Sequence, residues 1–267
     1  MGKYFGLVAV ALLCACSDEK SGVYLGYVEG ESVHVASPMA GRLASLQAQR
    51  GQDIAVGAPL FALEQERERS AVDEATQRLS QAQAQSDQAQ SEYRRQQSLR
   101  GKGLTSVEQL DAARSQGQTT QGRIDELQAQ SVQTRWMLEQ KTVPAPVNGV
   151  VDDLYYRVGE QVAAGAPVLS LLPPQNRKLR FFVPQADLER VKVGARVDVH
   201  CDGCASNFGA TVRFVAPQAE YTPPVIYSQS ARQKLLFLVE AWPEAGDALK
   251  LKPGQPVEVR LAEVRAQ

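Results

Sequence analysis

Apolar residues fall into different spacings along this chain. A continuous apolar run occupies residues 4–15, and two stretches, 33–63 and 142–173, hold short alternating runs rich in Val, Leu and Ile, broken by glycines. Alternation bounded by turn residues predicts strands joined by tight turns. Between those stretches the spacing changes to 3 and 4. Small or apolar residues recur at Val72, Ala75, Leu79, Ala82, Ser86, Ala89 and Tyr93, with no Gly or Pro from Glu64 to Arg100. The same spacing returns at Leu110, Ala113, Gly117, Thr120, Ile124, Leu127, Ser131, Thr134 and Leu138. Both read as heptad seams with a and d filled, and so predict two long helices. From residue 174 alternation resumes, predicting strands at Leu179–Val183, Arg196–His200, Ala210–Val215, Leu235–Ala241 and Val257–Leu261.

The two glycine-punctuated stretches are copies of one another. Pro38, Gly41, Gly51, Gly57 and Pro59 map onto Pro146, Gly149, Gly159, Gly165 and Pro167 at an ungapped offset of 108 residues. Leu43/Val151, Leu46/Leu154, Ile54/Val162, Leu60/Val168 and Leu63/Leu171 match in apolarity at the same offset. Neither copy is large enough to bury a face alone, so the halves are expected to pack together. The helical segment is an insertion between them. Its turn, Gly101-Lys102-Gly103-Leu104-Thr105-Ser106, carries two glycines that break the first helix and a Ser106…Gln109 capping box that opens the second. Gly117 and Gly122 each cost about 1 kcal/mol relative to Ala, so the second arm is the weaker and a bend is expected there. A seam of Ala, Ser, Thr and Gly lets the arms approach closely. Each arm should project roughly 55 Å.

The leading run is too short to span a bilayer, which takes about 20 residues. With Lys3 before it, it reads as an export signal over residues 1–15. Its end, Leu13-Cys14-Ala15-Cys16-Ser17-Asp18, resembles a bacterial lipobox with Cys16 as the lipidated residue; an ordinary signal peptide is the alternative. Acyl chains would then hold the protein at a membrane, and several suffice where one is marginal.

Charge and composition narrow the chemistry. With 29 basic and 30 acidic residues the net charge is −1, which offers no electrostatic footprint for nucleic acid. Two histidines, four cysteines and no phosphate-binding glycine loop leave little material for catalysis, so a non-enzymatic protein without a cofactor is expected. Cys201-Asp202-Gly203-Cys204 beside His200 leaves three states open. A local disulfide is favoured by an oxidising compartment. A metal site would be one ligand short of the usual four, so none is assigned. Free or redox-active thiols are the third state, though no helix N-terminus follows to depress a thiol pKa. His34 reads as a strand-face residue, and Asp152 and Asp153 as solvated.

The paired half-motifs resemble a split biotinyl/lipoyl domain, although the modifiable lysine of a carrier is missing. The insertion's tip carries Arg95, Leu99 and Ser106 at spacings of four and seven. In the HlyD-type periplasmic adaptors, the membrane fusion proteins, Arg, Leu and Ser at that spacing contact the hairpins of a TolC-like outer-membrane channel. The ending Leu251-Lys252-Pro253-Gly254 through Leu261 resembles the last strand of that family's β-barrel, and residues 221–227 point to the adaptors of ABC-type exporters. The resemblance implies a mixed α and β fold: a split lipoyl-like β domain with an inserted antiparallel coiled-coil hairpin, then a β-barrel. The expected organisation is a signal peptide (1–15), a lipid anchor, linker and barrel strand (16–32), a half-motif (33–63), a hairpin (64–141), the second half-motif (142–173), a barrel (174–262) and a tail (263–267). It also implies an inner-membrane transporter, ABC-type, and a TolC-like channel as partners, with self-association into a hexameric ring. Localisation would be the periplasmic side of the inner membrane, the outer membrane being the alternative. Competing readings are a structural envelope lipoprotein self-associating through its coiled coil, and a lipoyl-type carrier.

Overall fold

A computed structural model describes residues 22–202, 204, 206–220 and 235–261. The export signal, Cys16, residues 221–227 and the C-terminal tail lie outside them. Strand β1 (Val23–Gly30) belongs to one compact unit with the chain from Arg177 onward, and Glu31–Asn176 form a second.

The second unit contains β2 (Val33–Ala36), β3 (Gly41–Leu46), β4 (Asp53–Ile54), β5 (Pro59–Leu63), α1 (Glu66–Gly101), α2 (Val107–Glu139), β6 (Thr142–Pro144), β7 (Gly149–Leu154), β8 (Gln161–Val162) and β9 (Pro167–Leu172). Its strands form two four-stranded sheets, ordered β2-β9-β7-β4 and β6-β5-β3-β8. Shifting the first order by the 108-residue repeat produces the second, so each half supplies two strands to each sheet. The turns obey the same symmetry. Gly57 N–H donates to Ala145 O at 2.8 Å and Gly165 N–H to Ser37 O at 2.9 Å. Gly51 and Gly159 donate to Val151 O and Leu43 O, both at 2.8 Å. These four glycines adopt φ between 76° and 97°, where a side chain would be strained. Leu43, Leu60, Phe61, Val151, Val168 and Leu169 close the shared core, each 1 % exposed or less. Neither half could build this core by itself.

Helices α1 and α2 leave this unit between β5 and β6. The seam positions read from the sequence are the ones turned from water: Ala75, Ala82, Ser86, Ile124, Leu127 and Ser131 are buried and the others half-buried. A Cβ placed at Gly117 or Gly122 would meet nothing within 4 Å, so close helix approach does not require either glycine, and α2 runs through both without interruption. At the root the hairpin is pinned by side chains. Lys141, 5 % exposed, donates from Nζ to Ala40 O at 2.8 Å and pairs with Glu68 at 3.1 Å. Ser37 Oγ donates to Gln140 O at 2.9 Å, and Arg42 pairs with Glu64.

The other unit is a closed barrel of β1 with β10 (Arg177–Pro184), β11 (Arg196–His200), β12 (Phe208–Glu220), β13 (Leu236–Pro243) and β14 (Pro256–Leu261), in the order β1-β10-β13-β12-β11-β14. Alternate residues point inward, as a period of two demands. Val28, Leu179, Phe181, Val183, Val197, Val199, Val239 and Val259 are all fully buried. A one-turn helix, α3 (Ala245–Ala248), follows β13. Buried Arg177 reaches the carbonyls of Ala248, Leu249 and Leu251 at 2.9, 2.9 and 3.0 Å. Closure removes the free strand edges through which open sheets aggregate.

Candidate functional site

The end of the hairpin is shaped by two local motifs. Helix α1 continues through Gly101, and the break falls at Gly103, whose φ of 73° is left-handed. Gly103 N–H donates to Arg100 O at 3.0 Å and Leu104 N–H to Leu99 O at 2.9 Å. That pairing is a Schellman ending, which satisfies carbonyls a helix end otherwise leaves bare. Three residues on, Ser106 caps α2. Its Oγ accepts from Gln109 N–H at 3.2 Å, while Gln109 Oε1 faces Ser106 N–H at 3.4 Å. The Thr105 hydroxyl lies between Gln96 Oε1 at 2.8 Å and Gln109 Oε1 at 2.7 Å, tying one helix to the other. Glu108 follows the cap. A hydrogen bond from its own backbone N–H, then one from Ser106, holds its carboxyl below the ordinary value, as suits an anion at a helix N-terminus.

Arg95, Leu99 and Ser106 all sit within this end, with differing freedom. The Arg95 side chain is 69 % exposed and pairs at 3.4 Å with Glu92, whose other oxygen takes a bond from Gln96 at 2.8 Å. Leu99 is half-buried. Ser106 is exposed, but its hydroxyl is engaged by the cap. Two apolar side chains that the spacing did not single out stand further out. Leu104 is 69 % exposed and Val107 48 %. Their signal was present, since Leu104 follows the glycine that ends α1 and Val107 follows the cap that opens α2. Below the tip, Tyr93, Arg114 and Gly117 line a shallow notch of about 260 Å³.

The remaining expected positions lie elsewhere. Cys201 and Cys204 are joined as a disulfide, with Cα atoms 5.4 Å apart, and Cys201 belongs to the barrel core. His200 Nδ1 lies 2.8 Å from Asn207 Oδ1. His34 is exposed on β2 beside Tyr155, 3.4 Å from its hydroxyl. Asp152 accepts a 2.7 Å bond from Ser32, and Asp153 caps the backbone of Leu154 at 2.9 Å. Among the described residues no three His, Cys, Asp or Glu side chains gather as a metal site, and no helix is long and apolar enough to cross a membrane.

No profile of a known family matches the sequence. The chain is 26 % identical over 300 aligned positions to the UPF0194 membrane protein YbhG of Salmonella gallinarum, covering 92 % of this chain and 90 % of that protein. Among solved structures, the membrane fusion protein Spr0693 of Streptococcus pneumoniae superposes with a TM-score of 0.66 at 14 % identity, over 90 % of this chain and 98 % of that one. The periplasmic adaptor protein EmrA superposes with a TM-score of 0.51 at 14 % identity, over 90 % of this chain and 99 % of that one.

Proposed function

We propose, from the premise that this chain has the fold of the HlyD-type membrane fusion proteins, that it is the periplasmic adaptor of a tripartite efflux or secretion system. It would link an inner-membrane exporter of ABC type to a TolC-like outer-membrane channel, without catalysing a reaction itself. The observation that carries this is the hairpin: two helices of 36 and 33 residues, rooted in an interleaved, split lipoyl-like β unit and ending in a locally braced tip. A passive spacer has no use for such bracing, and a carrier would need a modifiable lysine at the hairpin joining the halves. Acylation of Cys16 would hold the chain at the periplasmic face of the inner membrane. Self-association into a ring, a hexamer in this reading, would gather several tips around one channel. The Cys201–Cys204 disulfide suits that oxidising compartment.

The test is export in a strain carrying the transporter and channel. Arg95→Asp reverses an exposed charge and should leave the fold intact, since surface changes of this kind shift stability by no more than about 0.5 kcal/mol. Combined with Leu99→Ser it should abolish export and crosslinking to the channel from position 106, while the protein stays membrane-bound. Because Leu99 is half-buried, unchanged helix content of the double variant by circular dichroism is part of the result. Wild-type export from it would defeat the docking model. Cys16→Ser should separately abolish lipid labelling and release the protein from membranes.

A further inference from the structure

Charge is distributed unevenly along the hairpin. Residues 92–114 hold five basic side chains (Arg94, Arg95, Arg100, Lys102 and Arg114) against three acidic ones, whereas residues 66–91 and 115–139 hold five basic against eight acidic. On the shaft, Arg78 and Arg123 are each neutralised by a carboxylate at 2.5 Å. At the tip only Arg95 has such a partner among the described residues. Arg94 reaches Ser91 Oγ at 3.3 Å, and Arg100 reaches Thr105 O at 3.1 Å. Of the three acids, Glu92 is engaged by Arg95 and Gln96, Glu108 by the first turn of α2 and by the charge of Arg100, and Asp111 is exposed. Arg94, Arg100, Lys102 and Arg114 therefore leave an excess of positive charge on the stretch that exposes Leu104 and Val107.

An exposed apolar pair on a segment with an excess of cations suits an interface, with a small desolvated centre and a charged rim. We propose that Leu104 and Val107 are the anchors of the tip, and that Arg94, Arg100, Lys102 and Arg114 match it to an acidic protein surface bearing a shallow apolar hollow. This rests on the docking reading above and names the partner's chemistry. It also shifts the weight of recognition from half-buried Leu99 and the engaged Ser106 to residues outside that trio. Rim cations act chiefly on the association rate and its salt dependence, whereas buried anchors act on dissociation.

The experiment uses the full lipidated chain in detergent and the purified outer-membrane channel on which export depends. Binding rates are followed between about 0.05 and 0.5 M salt, across which screening becomes nearly complete for exposed charges. Lys102→Glu with Arg114→Glu should slow association about tenfold at low salt and flatten the salt dependence. Leu104→Ser should speed dissociation about tenfold or more, equally at both salt levels. Circular dichroism should show unchanged helix content in both. Binding that is insensitive to salt, or unaltered in these variants while Arg95→Asp abolishes it, overturns the proposal and leaves the docking reading standing. A folded unaltered chain that binds no channel overturns both. Equal, variant-sensitive binding to phosphatidylglycerol vesicles would overturn the protein partner in favour of a membrane surface.

Discussion

The hairpin's orientation depends on Lys141, and replacing it tests that dependence. Its ammonium is 2.8 Å from Ala40 O and 3.1 Å from Glu68, with the lysine side chain 6 % exposed and the glutamate 17 %. Lys141→Met keeps the packing of the stem but strands a nearly buried carboxylate and a carbonyl. Removing one member of a buried pair costs about 3–5 kcal/mol, and limited water access to Glu68 lowers the expectation here to about 2–3 kcal/mol. Glu68→Gln should cost less, about 1–2 kcal/mol, because the ammonium keeps Ala40 O and gains an amide oxygen. Joint replacement by methionine removes both charges and should recover to within about 1 kcal/mol of the unaltered protein. The chain has two compact units and need not unfold in one step, so a global melt is the wrong probe. Hydrogen exchange at Leu63 N–H, which donates to Lys141 O at 2.8 Å, reports the root directly. Protection should fall most in Lys141→Met, less in Glu68→Gln, and return in the double variant. A double variant no better protected than Lys141→Met would refute the electrostatic account, and an unchanged Lys141→Met would refute the pin itself.

Other outcomes follow from the same structure. Arg177→Met should lower barrel stability by about 2–4 kcal/mol, because three carbonyls around the end of α3 lose their shared donor; hydrogen exchange at barrel amides such as Val28 N–H, which donates to Gln255 O, measures it. Gly117→Ala should stabilise α2 by up to about 1 kcal/mol, since the new methyl meets nothing within 4 Å, and slower hydrogen exchange along the distal shaft would show it. Glu64 is held below its ordinary carboxyl value of 4.5, first by the hydrogen bond from Arg42. Its contribution is therefore present above that value and disappears as pH falls through the lower folded-state value. In an NMR titration Arg42→Ala should return Glu64 to ordinary behaviour, and no movement would remove Arg42 as the cause.

What could be read from the sequence was whatever short-range pattern carries. The seam was legible because burial on a helix repeats every three or four residues whatever the partner, and each seam residue from Val72 to Leu138 is shielded. The Ser106 cap was legible because both of its partners lie within three residues. Gly103 rather than Gly101 ends α1, a distinction that glycine content cannot make but a left-handed φ does. The repeat disclosed two equal halves but not their interleaving, since strand pairing between β2 and β9 joins residues more than a hundred positions apart. Lys141 was illegible for the same reason. A lysine at the end of a helix reads as solvated until Glu68, in the first turn of the other helix, closes over it.

Stability along the hairpin is uneven in a way that bears on docking. The buried cluster of the seam, Ala82, Ile124 and Leu127 with Leu79 against it, lies in the shaft, and the root is held by Lys141. Toward the tip the seam residues Ala89, Tyr93, Leu110 and Ala113 are only half-buried. Small side chains bury little area there, so the distal helices should open at a lower free energy than the root. The tip nevertheless has a defined shape. Its Schellman turn, capping box and Gln96–Thr105–Gln109 bridge all close within fourteen residues and need nothing from the shaft. Residues 96–109 should therefore stay protected from hydrogen exchange while the amides of the helices just below them exchange faster, and equal protection throughout would refute this ordering.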